Sequence, residues 1–423
     1  MNNILIKSVL ATEAFSDSGF PAVEVTVTTQ NGESGMAYNI ENPSNSSYRP
    51  KYLYDNDSRF KGFGVTKAAE IINKYIAPRL IGLPVNDQAI VDSTIKEVLL
   101  KNDIPLYINV TSPVSVAVFK AGANSKNMPL YRYLGGQRAF TLPVGGHLCA
   151  SGSKRYSKNE RAKGKPIYLM MAYDFDSFSQ AQYALWETVG IYEKLLAKKY
   201  GILIHRGFSM AITKGKMDND EVLWKIMVES IEKAGYTGKI GIHVDIGAND
   251  YYNKETNKYE GLFSPDAKSR EDMFKLYNKM TTEYPFVVLQ DPLEENDLEG
   301  FKYLRENNKA YIVGEELFCA DVDRIKQCIS YGCVDCVLLI VNRFETISDA
   351  IKIVNFAKTY GVGSMPKDAC GESLDMHSYA VGLNAGTIYE RGLDFSSNEL
   401  LIIESEIGDR VKYSAQGGIK KNI

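Results

Sequence analysis

Long hydrophobic runs are missing. No stretch approaches the roughly 20 apolar residues that a membrane span requires, so no spanning segment is expected. Charge of one sign is missing too: the formal net charge is −3, which favours neither nucleic acid nor an anionic membrane. Tyrosine is plentiful, at 27 residues, but is not interleaved with basic residues as an RNA-stacking surface would need. The six cysteines lack the spacing of a secreted disulfide framework. Cys333-Val-Asp-Cys336 is a C-x-x-C without a second pair, and it enters an apolar strand. Buried thiols in a reducing cytosol are expected there, rather than zinc or redox chemistry. The N-terminus lacks the basic start and apolar core of a signal peptide. A cytoplasmic globular protein follows, and 423 residues are too many for one ordinary core, so two domains are expected.

What is present is a repeat of short apolar runs, each ending in an oxygen-bearing side chain. Ile240–Asp245, Phe286–Gln290 and Ala310–Glu315 have this form, and Cys336–Asn342 with Arg343 is a fourth. Helix-like segments separate them, which reads as parallel βαβ units. In a barrel of such units, the C-terminal strand ends converge on one mouth. Asp245, Gln290 and Glu315 would then face one another, and three hard oxygen donors suit Mg²⁺. His243, mid-strand, is expected to be a packed, hydrogen-bonded histidine.

The first ~135 residues differ. Alternating strands with Gln30-Asn31-Gly32 as a hairpin turn precede helices at about 66–81, 88–101 and 112–125. The last is expected to start at Ser112, with Pro113 in its first turn. This makes an α+β domain over 1–137 and an α/β barrel over 138–423. Residues 42–60 are expected to be a mobile loop, and 145–165, rich in glycine and lysine, a long loop. The segment 202–205 reads as a strand and 219–235 as a helix, with Asn219 and Gly235 capping its ends. Tyr251–Tyr259 reads as an inserted hairpin, and Ile388–Asp394 as a last strand.

The chain resembles enolase. Gly19-Phe-Pro-Ala-Val-Glu-Val-Thr, Phe63-Gly-Val-Thr-Lys-Ala, Gln290-Asp-Pro, Val313-Gly-Glu-Glu-Leu, Gly371-Glu-Ser-Leu-Asp and Ala385-Gly-Thr-Ile match enolase segments in order. The resemblance implies an enolase-type modified (β/α)8 barrel with an N-terminal α+β capping domain, Mg²⁺ at the mouth and a homodimer. In that family a lysine removes a proton beside the carboxylate of 2-phosphoglycerate, metal ions stabilise the enediolate, and a glutamate helps hydroxide leave.

Matched residue by residue, the metal positions fall on Asp245, Gln290 and Glu315. The serine that closes over the metal falls on Ser46. The proton-moving positions carry other residues. The base lysine falls on Ile340 and a second lysine on Tyr389. The glutamates fall on Ser209 and Ile167, and a loop histidine on Lys154. Lys367 sits in an insertion beyond Met365 and Pro366. Lys154, Lys367 and Tyr389 are therefore the candidate catalytic groups, with Ser46, Arg343 and Lys367 as substrate-binding candidates. Three readings follow. One is a Mg²⁺-dependent lyase retuned to another small anion, a carboxylate or phosphonate. Another is an inactive relative that binds a ligand or a protein partner. The third is a true 2-phosphoglycerate dehydratase.

Overall fold

The computed structural model describes residues 4–16, 19–42, 44–151, 156–157, 164–201, 217–390, 392 and 397–414. Strands Ile6–Phe15, Pro21–Thr29 and Ser34–Asn39 form an antiparallel sheet. Its second hairpin turns at Gly32, whose φ of +93° suits glycine. The sheet packs on the helix Ile108–Ser125. A β-carbon at Gly35 would come within 2.2 Å of the Ala121 nitrogen, so glycine there lets the helix lie directly on the strand.

That helix begins before Ser112. The Asn109 side chain exchanges hydrogen bonds with the Leu53 backbone, at 3.0 and 2.9 Å, and the Ile108 amide donates to the Lys51 carbonyl at 2.8 Å. These tertiary contacts supply what a cap would, and Pro113 ends up inside the helix. The other two helices lie where expected, over 66–80 with a π turn at Ile72–Ile76, and at Gln88–Lys101.

Among the described residues, seven strands form one sheet. In order they are Gly363–Pro366, Cys336–Leu339, Tyr311–Gly314, Phe286–Gln290, Ile240–Asp245, Ile167–Ala172 and Gly146–Ser151. The first five are parallel, and Ile240–Asp245 is buried throughout, as a strand covered on both faces should be. Ile167–Ala172 runs antiparallel to both of its neighbours. Barrel helices start at Ser177, Asp297, Asp321 and Thr346, each accepting a hydrogen bond from a backbone amide two or three residues into the helix.

Three local expectations change. Residues 146–151 form a strand, because Gly146, His147, Leu148, Ala150 and Ser151 pair with the Ile167 strand, with a bulge at Cys149. Asp220, not Asn219, precedes the helix Glu221–Ala234, and it makes no side-chain cap because its carboxylate accepts from the Tyr168 hydroxyl at 2.7 Å. Gly235 does cap the far end, with φ +79°. Around 388, the described residues form only isolated bridges, Thr387 with Val144 and Tyr389 with Lys367, and 391 and 393–394 lie outside them. The hairpin at Tyr252–Tyr259 is as expected. The expected strand at 202–205 lies outside the described residues.

The α+β unit caps the barrel through polar contacts. Asn39 Nδ2 donates to the Asn342 carbonyl at 2.8 Å, and Asn342 Nδ2 donates to the Tyr38 carbonyl at 2.9 Å. The described residues of 42–57 form no regular structure but are tied to the barrel. Ser47 donates to Glu295, Asn45 donates to Asp250 at 2.8 Å, and the Tyr48 ring lies 4.5 Å from the Arg324 guanidinium.

Candidate active site

Asp245 ends its strand fully buried, and Gln290 pairs with it in register. Glu315 follows the last residue of the next strand. Adjacent parallel strands therefore deliver these three side chains to one mouth. Gln290 Nε2 donates to Glu315 Oε2 at 2.8 Å, and its Oε1 lies 3.1 Å from His243 Nε2. Burial, aided by Lys367 and Lys165, pushes His243 down to about 3, so it is a neutral packed histidine, as the sequence suggested.

The third acid at this mouth is Asp291. Oxygens of Asp245, Asp291 and Glu315 lie within 4.8 Å of one another, close enough in spacing to bracket a metal ion. Asp291 has φ +47°, and its carboxylate turns back on the chain. It accepts from the amides of Glu315, Glu316 and Leu317 at 2.9, 3.0 and 3.3 Å. Asp291 thereby fixes the turn that carries Glu315 and Glu316.

Among the described residues, three cations meet these acids. Lys367 Nζ lies 2.9 Å from Glu315 and 3.9 Å from Asp245. Arg343 Nη1 lies 3.1 Å from Glu315, and Nη2 donates to the Asn42 carbonyl at 3.3 Å. Lys165 Nζ lies 2.9 Å from Asp245 and 3.2 Å from Glu316. Neither Asp245 oxygen has a directed hydrogen bond, so its contact with Lys165 is an ion pair without hydrogen-bond alignment. Burial works against the Glu315 charge, yet Lys367, Lys165 and Arg343 outweigh it and hold the carboxyl well below the usual range. Burial likewise opposes the Lys165 ammonium, but Asp245, Glu316 and Glu315 hold its pKa well above the usual lysine value.

Above these charges lies a cavity of about 330 Å³, lined by Asn42, Asn45, Lys165, Ile167, Asp245, Glu315, Arg343 and Lys367, among others. Ser46 is buried nearby in sequence but does not line it; its Oγ accepts from the Tyr48 amide at 3.2 Å. Tyr389 lies behind Lys367, whose amine sits 4.5 Å over its ring. Ile340, 3% exposed, packs with Leu338, Met365 and Tyr389. Lys154 and Ser209 lie outside the described residues.

Sequence reasoning missed Lys165, Asp291 and Glu316. Lys165 precedes the one strand that runs against its neighbours, so the start of that strand, rather than its end, faces the mouth: Ile167 pairs with Asp245. The available signals were Lys-Pro directly before a buried strand, and the acid that follows both Gln290 and Glu315.

The family model described as the enolase N-terminal domain matches residues 6–134, and that of the enolase C-terminal TIM barrel domain matches 169–422. The chain belongs to the enolase family. It is 32% identical to an enolase of Methanopyrus kandleri over 421 residues, covering 96% of this chain and 97% of that one. An enolase of Pyrococcus furiosus is 32% identical over 425 residues, with 97% of each chain covered. One from Wolinella succinogenes is 31% identical over 420 residues, with 96% and 97% covered. The enolase-type barrel with its capping domain is therefore the fold, as expected. All six cysteines are unpaired and buried. Among the described residues, no helix is long and apolar enough to cross a membrane.

Proposed function

We propose that this chain is an enolase-family lyase turned to a small carboxylate or phosphonate other than 2-phosphoglycerate. The observation that carries this reading is Ile340. It follows the last residue of the Cys336–Leu339 strand, where the family resemblance calls for the base lysine, and it packs in an apolar cluster. An isoleucine accepts no proton, and losing a general base costs about 10²–10⁴-fold in rate. Lys367 brings an amine to the same mouth from the neighbouring strand end. In this reading Arg343 and Lys367 meet the ligand's anionic group. Tyr389, behind Lys367, is the nearby group that can carry a proton, and Ser46 belongs to the covering segment. Mg²⁺, when bound to the acids of an enolase mouth, offsets enediolate charge. Here an incoming ion meets ammonium groups already against Asp245 and Glu315.

The competing reading, a ligand-binding relative without catalysis, is favoured by how fully Glu315 and Asp291 are already bonded. A panel of small carboxylates and phosphonates, with and without Mg²⁺, tests both. A ligand that binds only the native state raises the melting temperature by mass action, and product analysis of the stabilising compounds follows. A stabilising compound that is also converted supports the lyase. Stabilisation without conversion supports the competing reading, and stabilisation by no small anion contradicts both forms of the anion site. Homodimeric assembly and a cytoplasmic location belong to the same proposal, and sedimentation of the purified chain tests the first.

A further inference from the structure

Asp245, Asp291 and Glu315 are the kind of donors Mg²⁺ takes, but most of the lone pairs of Asp291 and Glu315 are engaged. Glu315 Oε1 meets Arg343, and Oε2 accepts from both Gln290 and Lys367. The oxygens of Asp291 accept three backbone amides. Gln290 Oε1 faces His243. Asp245 alone keeps oxygens without hydrogen bonds, and there Lys165 Nζ stands at 2.9 Å from Oδ1 and Lys367 Nζ at 3.9 Å from Oδ2. Mg²⁺ demands near-octahedral oxygen ligands at about 2.0–2.1 Å. As arranged, the residues present do not fit that ion.

We propose that Lys165 and Lys367 stand in for the metal, so that the barrel mouth works with two ammonium groups and needs no divalent ion. The surroundings are shaped for Lys165. A β-carbon at Gly247 would come within 2.2 Å of Lys165 Cδ, so the missing side chain there leaves room for the lysine stem. The Tyr251 hydroxyl donates to the Lys165 carbonyl and anchors its backbone. Glu316 supplies a second carboxylate that aims the ammonium at Asp245. Backbone amides answer the charge of Asp291. Asp245, Glu315 and Glu316 then face Lys165, Lys367 and Arg343, so an entering Mg²⁺ would add buried charge without a partner. Both lysines line the cavity, and an ammonium has three N–H donors, enough to reach a ligand oxygen as well as a carboxylate.

The test is a Mn²⁺ titration of the chelator-stripped full chain, followed by electron paramagnetic resonance. It does not depend on which anion binds, so it can fail independently of the lyase reading. The expected result is no Mn²⁺ site in the wild type that Asp245→Asn removes. The Lys165→Met/Lys367→Met double variant should gain one Mn²⁺ per chain, about 100-fold tighter, because two like charges leave the ion's position. Gly247→Ala pushes on the Lys165 stem and should also strengthen Mn²⁺ binding if the double variant does not fold. A wild-type site that binds one Mn²⁺ at micromolar free ion and is lost in Asp245→Asn overturns the proposal. So does a folded double variant whose Mn²⁺ affinity is unchanged.

Discussion

Replacing Arg343 with methionine removes the guanidinium 3.1 Å from Glu315 Oε1 and its bond to the Asn42 carbonyl. Both side chains of the ion pair are almost fully buried, at 6% and 5% exposure. Breaking a buried pair from one side costs about 3–5 kcal/mol, because the remaining charge loses its partner. Lys367 and Gln290 still hold Glu315, so the lower end of that range is expected. With about 2.1 cal/mol/K of unfolding entropy per residue, this lowers the melting temperature by about 3–4 °C for a cooperative chain of this length. Urea titration of four proteins measures it: wild type, Arg343→Met, Glu315→Gln and the double variant. The two changes should couple by about 2–3 kcal/mol, since removing both charges leaves neither stranded. A loss below about 1 kcal/mol for Arg343→Met, with no coupling, would refute the claim that the mouth is a dry, interlocked charge cluster.

The remaining expectations concern neighbouring groups. Asp291→Ala leaves three buried backbone amides without their acceptor; at about 1–3 kcal/mol for each unsatisfied group, a folding loss larger than that of Arg343→Met is expected by urea titration. His243 has its pKa depressed to about 3 in the fold against about 6.5 when unfolded. The unfolded chain therefore takes up the proton first. Stability is full above about pH 6.5 and falls as pH drops toward 3, by about 2 kcal/mol between 6.5 and 5. His243→Gln should flatten that part of the stability profile, and an unchanged slope in the variant would assign it elsewhere. On the proposed reading, Ile340→Lys should not create 2-phosphoglycerate dehydration, because the resemblance puts Tyr389, Ser209 and Ile167 at the other family positions; a coupled assay for phosphoenolpyruvate checks this.

Much of the barrel was readable because its strands are short apolar runs with a polar terminus. Asp245, Gln290 and Glu315 announced a shared mouth through that pattern alone. Lys165 was hidden because its strand is antiparallel to its neighbours, and strand direction leaves no mark on local periodicity. Read as part of a parallel set, the same lysine would lie at the opposite end of the barrel. The helix at Ile108 started early for a similar reason: Asn109 finds its partners at Leu53, a contact between distant segments that no capping pattern records. Asp291 was passed over beside Gln290 because its role is set by a left-handed backbone turn, which points its carboxylate at amides two dozen residues away. Glycine and lysine around 145–165 suggested solvated chain, yet residues 146–151 became a strand once a buried partner was available.

The most direct measurement is the rate of 2-phosphoglycerate dehydration by the purified chain in excess Mg²⁺. On the proposal that Ile340 takes the base lysine's place, turnover should lie at least about 10²-fold below the typical enzyme value of about 10 s⁻¹. Turnover at that ordinary rate would contradict the account.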